Sequence, residues 1–251
     1  TVATPSLRSL DAALDRANIF PNHHTVAGLA AAEAVLTRKQ REAGSLVLDI
    51  GACTTNLAVI EDGEVQHVDV IPLGGNNITN DLAIGLKVDL EIAEEVKLQH
   101  AALSGEGKNG RVSVTVDKKN YVFEADDINM IVEARVEEIF DFVDKELKKV
   151  HRSRKLPGGI ALCGGSSKIA GIASFCKDKL ELASRIGRLQ HISGLTDEIA
   201  KDPACITSIG LMQLDLLLAD QAFSARTSNH GPGASDKILN SLTDVWRKIK
   251  P

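Results

Sequence analysis

Residues 46–65, LVLDIGACTTNLAVIEDGEV, decide how the rest of the chain is read. An apolar run stops on Asp49, turns through Gly51, Ala52 and Cys53, meets two hydroxyls at Thr54 and Thr55, and then becomes apolar again. The pattern predicts strands over 45–50, 56–61 and 64–71, the last two joined at Asp62-Gly63, a pair that favours a two-residue hairpin turn. The bend after Asp49 has two readings. Its small side chains leave room for backbone N–H groups to wrap an anion, with Thr54 and Thr55 as added donors. Asp49 would then be placed to hold a hydrated divalent cation, since Mg²⁺ keeps most of its waters. The other reading is a plain hairpin with a capping aspartate.

Working outward, residues 5–18 place Leu7, Leu10, Ala13, Leu14 and Ala17 at helical spacing, and an Ala-rich helix is expected over 25–37. After the third strand, PLGGNNITNDLAIGL (72–86) reads as a Gly-Gly break, an Asn or Thr cap and a helix. A second helix follows over 90–103, then a hairpin turning near 118–120, then a long amphipathic helix from 125 to 150. That last helix is acidic early and basic late, as the helix dipole prefers. GIALCGGSSKIAGIASFCKDKL (159–180) reads as strand, Gly-Gly turn, helix. Its turn, Gly164-Gly165, either lets a ligand approach the backbone beside a helix N-terminus or serves packing only. It is neither a P-loop nor a dinucleotide fingerprint, because both spacings are absent. Glu94 and Lys97 lie one helical turn apart, and a solvated ion pair is the alternative to any binding role.

Composition narrows the function. The 251 residues are 43% apolar and 25% charged, with a net charge of −5, ordinary for a globular chain. There is no dense basic patch to meet phosphate backbones, so nucleic acid is not an expected partner. Cys53, Cys163, Cys176 and Cys205 form neither a C-x-x-C pair nor a disulfide rhythm, and reduced thiols in a cytoplasmic protein are expected. No run is long and apolar enough to span a bilayer. A first residue of Thr rather than Met suggests a chain that starts partway through a larger protein.

The C-terminal stretch has two parts. Residues 220–235 gain Gly, Pro, Ser and Asn and read as a flexible linker. Beyond it Ile238, Leu239, Leu242, Val245, Trp246 and Ile249 fall on one helical face, flanked by Lys237, Arg247, Lys248 and Lys250. A helix that short is not stable alone in water. It would lie on an anionic bilayer surface or dock on a protein groove.

The order of these pieces resembles the second lobe of the actin-like ATPases: a D-x-G-x-x-T-T hairpin, a Gly-Gly helix, an inserted unit carrying E-x-x-K, and strand-Gly-Gly-helix. VIPLGGNNITNDLA, AEEVKLQHAAL, ISGLTDEI and the tail helix are similar to the cell-division family FtsA. The resemblance runs from about residue 1 to the end. It implies an α/β, ribonuclease H-like lobe with an inserted α+β subdomain. Residues 1–44 would end the N-terminal lobe, 45–86 and 157–219 form subdomain IIA, 87–156 subdomain IIB, 220–235 a linker and 236–251 a membrane-targeting helix.

By the same resemblance, Gly51, Ala52, Cys53, Thr54 and Thr55 would line nucleotide phosphates, and Asp49 would hold Mg²⁺ through water. Gly75, Asn77, Glu94, Lys97, Gly164 and Gly165 would surround the adenosine of ATP. His100 is expected to be structural. The family pattern D-x-G-G-G-T-T-D has glycines where this chain has Ala52 and Cys53, and an aspartate where it has Asn56. If those positions needed positive φ, L-residues there would cost roughly 1 kcal/mol each. The first phosphate hairpin belongs to the preceding lobe, so the chain alone is expected to bind ATP poorly. The implied role is an adaptor that polymerises and tethers FtsZ, contacted through 87–156, to the inner membrane at the division site, with at most slow ATP hydrolysis. Alternatives within the superfold are a PilM-like pilus-assembly ATPase and a sugar- or acetate-kinase-like phosphotransferase.

Overall fold

All six residues of β1 (Ser45–Ile50) are buried, the mark of a strand covered on both faces. The computed structural model describes residues 4–21, 23–107, 110–190 and 196–227, with side chains to residue 218. β1 lies at the centre of a five-stranded sheet ordered β3-β2-β1-β6-β7. It pairs antiparallel with β2 (Thr55–Glu61), which pairs antiparallel with β3 (Glu64–Ile71). On its other side it runs parallel to β6 (Gly159–Cys163), followed by β7 (Ser184–Ile186). Asp62 and Gly63 both take positive φ, 55° and 75°, as the tight turn requires.

Alternation along these strands sends side chains to two cores. Leu46, Leu48, Ile50, Leu57, Val59, Ile160 and Leu162 face one side. They meet α4 (Gly75–Leu86), α5 (Leu90–His100), α6 (Ala125–Lys149) and α7 (Ile172–Leu180) there. The hairpin β4 (Arg111–Val116) and β5 (Lys119–Glu124) lays Val112 and Val114 on the same cluster. The inserted unit therefore shares its core with the sheet, and α6 is the connection. Arg135 on α6 fastens it to α4 through a two-bonded ion pair with Asp81, at 2.5 and 2.9 Å. Hydrogen bonds from Asp81 hold the Arg135 guanidinium above its usual pKa.

Val47, Ala58, Ile60, Ala161 and Cys163 face the opposite side, against α2 (Ala27–Val35). Seven of the nine α2 residues are buried, packed on this face of the sheet. α3 (Arg38–Ala43) starts on a capping box between Thr37 and Gln40 and packs on β2. α1 (Thr4–Arg16) buries no residue.

α9 (Ile206–Thr227) covers α2. A Cβ at Gly210 would come within 1.9 Å of the Ala30 carbonyl oxygen, so the helices cross at a point only glycine fits. α9 also corrects the linker. Residues 220–227 of the stretch read as flexible are helical, because DQAFSART contains neither Gly nor Pro and the first such residue is Gly231. The remainder of that stretch, the amphipathic tail 236–251 and part of ISGLTDEI lie outside the described residues. α8 (Asp197–Lys201) precedes α9.

Candidate functional site

β1 and β6 run parallel, so their carboxyl ends emerge together, the edge where ligands settle in α/β sheets. Asp49 is register-paired with Cys163, which puts the Asp49 bend beside the Gly164-Gly165 turn, though over a hundred residues separate them in sequence. The contact is close. Gly164 has φ 85°, and a Cβ there would lie 2.5 Å from both Asp49 Oδ1 and the Ile50 carbonyl oxygen. Glycine is therefore required at Gly164 by packing and conformation alike. Gly165 differs, being exposed, with nothing within 4 Å of where its Cβ would be. Open space lies beside its backbone.

α4 brings the third segment. The N–H of Gly75 donates to the Gly51 carbonyl at 2.9 Å and that of Asn76 to the Ala52 carbonyl at 2.7 Å. A Cβ on Gly74 would lie 2.6 Å from the Gly51 oxygen, and one on Gly75 2.7 Å from Ser166 Oγ. Ser166 itself donates to the Gly51 carbonyl at 3.4 Å. Three distant stretches thus close around residues 51–52.

α5 completes the rim. Lys97 Nζ donates to the Gly75 carbonyl at 3.2 Å, to Thr79 Oγ1 at 2.8 Å and to Glu94 Oε2 at 2.7 Å. Thr79 also donates to Glu94. The Lys97 side chain is only 12% exposed against 42% for Glu94, so this pair is not a freely solvated one. It is turned inward onto the first turn of α4. Burial alone would raise the Glu94 pKa, but hydrogen bonds from Lys97 and Thr79 with the Lys97 charge hold it below the usual range.

Asp49 accepts a 2.7 Å hydrogen bond from Thr207 Oγ1 at the start of α9. Burial pushes its pKa above the ordinary value while Thr207 works in the opposite sense. Desolvation leaves a carboxylate in need of positive charge, the condition a hydrated divalent cation would meet.

Several expected roles change. Thr55 is fully buried and its hydroxyl donates to the Leu73 carbonyl at 2.9 Å, so of the two hydroxyls only half-buried Thr54 remains open. Asn77 caps α4, its Oδ1 accepting from the Gly74 N–H at 2.9 Å. The cap residue is Gly74, not an Asn or Thr. Ala52 and Cys53 are exposed and neither has positive φ, so the anticipated backbone strain is absent. His100 is structural, tying α5 to β4 through the Ser113 carbonyl at 3.0 Å. Cys163 is buried among apolar side chains, and burial, with Asp49 nearby, pushes its thiol well above the usual range.

Sequence reasoning missed Thr79, Ser166 and Thr207. Thr79 is four residues after Gly75 on the helix that was read, so its direction was available. Thr207 was not, because nothing in ACITSIGLM announces that this helix starts over Asp49.

The sheet order, the helices on both faces and the convergence of three loops at the carboxyl ends of β1 and β6 define the second lobe of an actin-like ATPase fold. Solved structures agree. The chain superposes on MreB 5 of Spiroplasma citri bound to AMPPNP with a TM-score of 0.72, at 18% identity over 89% of this chain and 68% of that one. The PilM-PilN type IV pilus biogenesis complex gives 0.60 at 23% identity, covering 82% and 56%. Identities this low establish the fold alone.

The chain belongs to the cell division protein FtsA family, whose model matches residues 46–210. It is similar to FtsA of Bacillus subtilis, 35% identical over 211 residues, covering 82% of this chain and 46% of that protein. FtsA of Pseudomonas aeruginosa is 29% identical over 254 residues, covering 100% and 61%. The chain thus spans about half to three-fifths of the length of these relatives.

Proposed function

We propose that this chain forms the second wall of an ATP·Mg²⁺ cleft in a cell-division adaptor. Gly51–Thr54 would face the phosphates and Asp49 a water-coordinated Mg²⁺. Gly75, Glu94, Lys97, Gly164 and Gly165 would surround ribose and adenine. The observation that carries this reading is the convergence of residues 49–54, 74–79 and 164–166 at one sheet end, with Lys97 turned onto it.

ATP would set the polymeric state of an actin-like protofilament, with hydrolysis slow, since no side chain in the cleft is arranged as nucleophile and base. The inserted unit, 87–156, would meet FtsZ, and residues 236–251 would hold the assembly on the anionic cytoplasmic face of the membrane at the septum. Family membership supports division over pilus assembly or sugar phosphorylation.

The test is nucleotide titration in the protein at the full length of its relatives. Lys97→Ala and Gly165→Val should each weaken ATP binding at least tenfold in the presence of Mg²⁺. Because a Cβ at Gly165 would meet nothing within 4 Å, its variant should keep the parent melting temperature. Parent-like affinity in both variants would refute the site.

A further inference from the structure

Among the described residues, one group of ligating side chains lies close enough together to share a metal ion, and it includes none of the residues placed in the nucleotide site. His67, Asp69 and Glu146 place one ligand atom each within 4.8 Å of one another. His67 and Asp69 are two apart on β3 and so share a face of the sheet's edge strand, while Glu146 comes from the last turns of α6. Their backbones are fixed by the β2–β3 ladder and by the core that α6 buries.

The pair His67 Nε2 and Glu146 Oε2 is 3.4 Å apart. That is long for a hydrogen bond, whose usual length is about 2.9 Å. It is the separation of two ligands on a tetrahedral Zn²⁺, where bonds of about 2.05 Å give an edge of about 3.4 Å. Glu146 is 8% exposed, a buried carboxylate on an otherwise apolar helix face. Its other oxygen, Oε1, accepts from Lys149 Nζ at 2.5 Å. This bond orients Oε2 toward His67, as outer-shell partners of metal ligands do. Lys149 is 64% exposed along its side chain and bonds Oε1 alone, which leaves Oε2 free for an ion.

We propose that His67, Asp69 and Glu146 bind a borderline divalent transition metal, Zn²⁺ foremost, with water completing the tetrahedron. One imidazole with two carboxylates selects zinc-like ions over Mg²⁺ or Ca²⁺, which take all-oxygen shells. The bound ion links the outer strand of the sheet to the C-terminal turns of α6, the helix that carries the inserted unit. Its occupancy therefore sets how firmly that unit is held on the sheet.

The test is calorimetric titration of the full 251-residue chain, free of any affinity tag and with Cys53→Ser to remove the exposed thiol, using ZnCl₂, MgCl₂ and CaCl₂. One equivalent of Zn²⁺ should bind, Mg²⁺ and Ca²⁺ at least a hundredfold more weakly, and the melting temperature should rise with Zn²⁺. His67→Ala and Asp69→Asn should each lower Zn²⁺ affinity at least tenfold while melting like the parent without metal. His67 and Asp69 lie on an edge strand and both variants should fold; Lys149→Ala, which removes no ligand, checks that loss of charge alone does not abolish binding. No Zn²⁺ binding by the parent overturns the proposal. So does binding of equal affinity in His67→Ala and Asp69→Asn, which would place the ion elsewhere, at His23 or His24 for example.

Discussion

At the scale of single residues, the bond between Asp49 and Thr207 concentrates the tension in the cleft. A carboxylate at the end of a buried strand is desolvated, and one hydroxyl only partly compensates. The sign of its pH effect follows. A folded-state pKa raised above the unfolded value means that folding favours the protonated acid. That contribution is complete below the unfolded pKa, near 4, and is lost as pH rises through the raised folded value. Asp49→Asn cannot ionise, so the stability of the parent relative to this variant should fall as pH rises above about 4. Thr207→Val should cost about 1.5–3 kcal/mol at pH 7, where the hydroxyl serves a charge, and about 1 kcal/mol once the acid is protonated. Urea unfolding of both variants across pH 3–8 measures these differences. A flat difference between parent and Asp49→Asn would show that Asp49 is solvated like a surface acid. Gly164 and Gly165 illustrate how two adjacent identical residues can have different reasons: the first is dictated by Asp49 and Ile50, the second by nothing in the chain itself.

At the scale of elements, the layer made by α2 and α9 carries an unexpected share of the fold. α2 covers Val47, Ala58, Ala161 and Cys163, whereas α1 covers nothing. A chain beginning at residue 25 should therefore melt within about 2 °C of the parent, since surface changes of this kind cost under about 0.5 kcal/mol. A chain beginning at residue 45 would open an entire sheet face and should aggregate, because contiguous exposed apolar surface of that size self-associates. Analytical ultracentrifugation with thermal melts separates the cases, and a monomeric, parent-like product from residue 45 would sink the assignment of α2 to this core. The strands 45–50 and 64–71 were legible to the residue, and 56–61 to within one, because apolar runs bounded by Asp49, Asp62 and Gly63 leave little choice. β7 was invisible at three residues, and α3, RKQREA, has no apolar face to betray it. α9 was hidden for another reason: Leu214, Leu216, Leu217 and Leu218 crowd all sides of one turn and erase the helical period. The site was legible as loops, not as contacts. The bends named Asp49 and Gly164, and the family resemblance named Lys97; the parallel pairing of β1 with β6 brings the first two together, and the bond from Lys97 to the Gly75 carbonyl adds the third.

At the scale of the whole molecule, β1 and β6 end side by side at the proposed nucleotide site, and the proposed membrane contact depends on residues 236–251. No helix among the described residues is long and apolar enough to cross a bilayer. Residues 238–250 carry Ile238, Leu239, Leu242, Val245, Trp246 and Ile249 at helical spacing, with Arg247, Lys248 and Lys250 at the end. A helix of twelve residues is about 18 Å long and cannot sustain itself in water. Folding against an anionic bilayer would supply both the apolar contact and about 1 kcal/mol for each basic residue near the surface. The attraction should therefore weaken as salt shortens the Debye length. Vesicles of phosphatidylglycerol and phosphatidylethanolamine should pellet most of the full chain at 0.1 M salt and much less at 0.5 M. A chain ending at residue 235 should stay in the supernatant at both. Trp246→Ala should reduce the bound fraction severalfold, since the indole is the largest interfacial group on that face. Equal pelleting with and without residues 236–251 would move the tail from the membrane to a protein groove, and the proposed tether would lose its anchor.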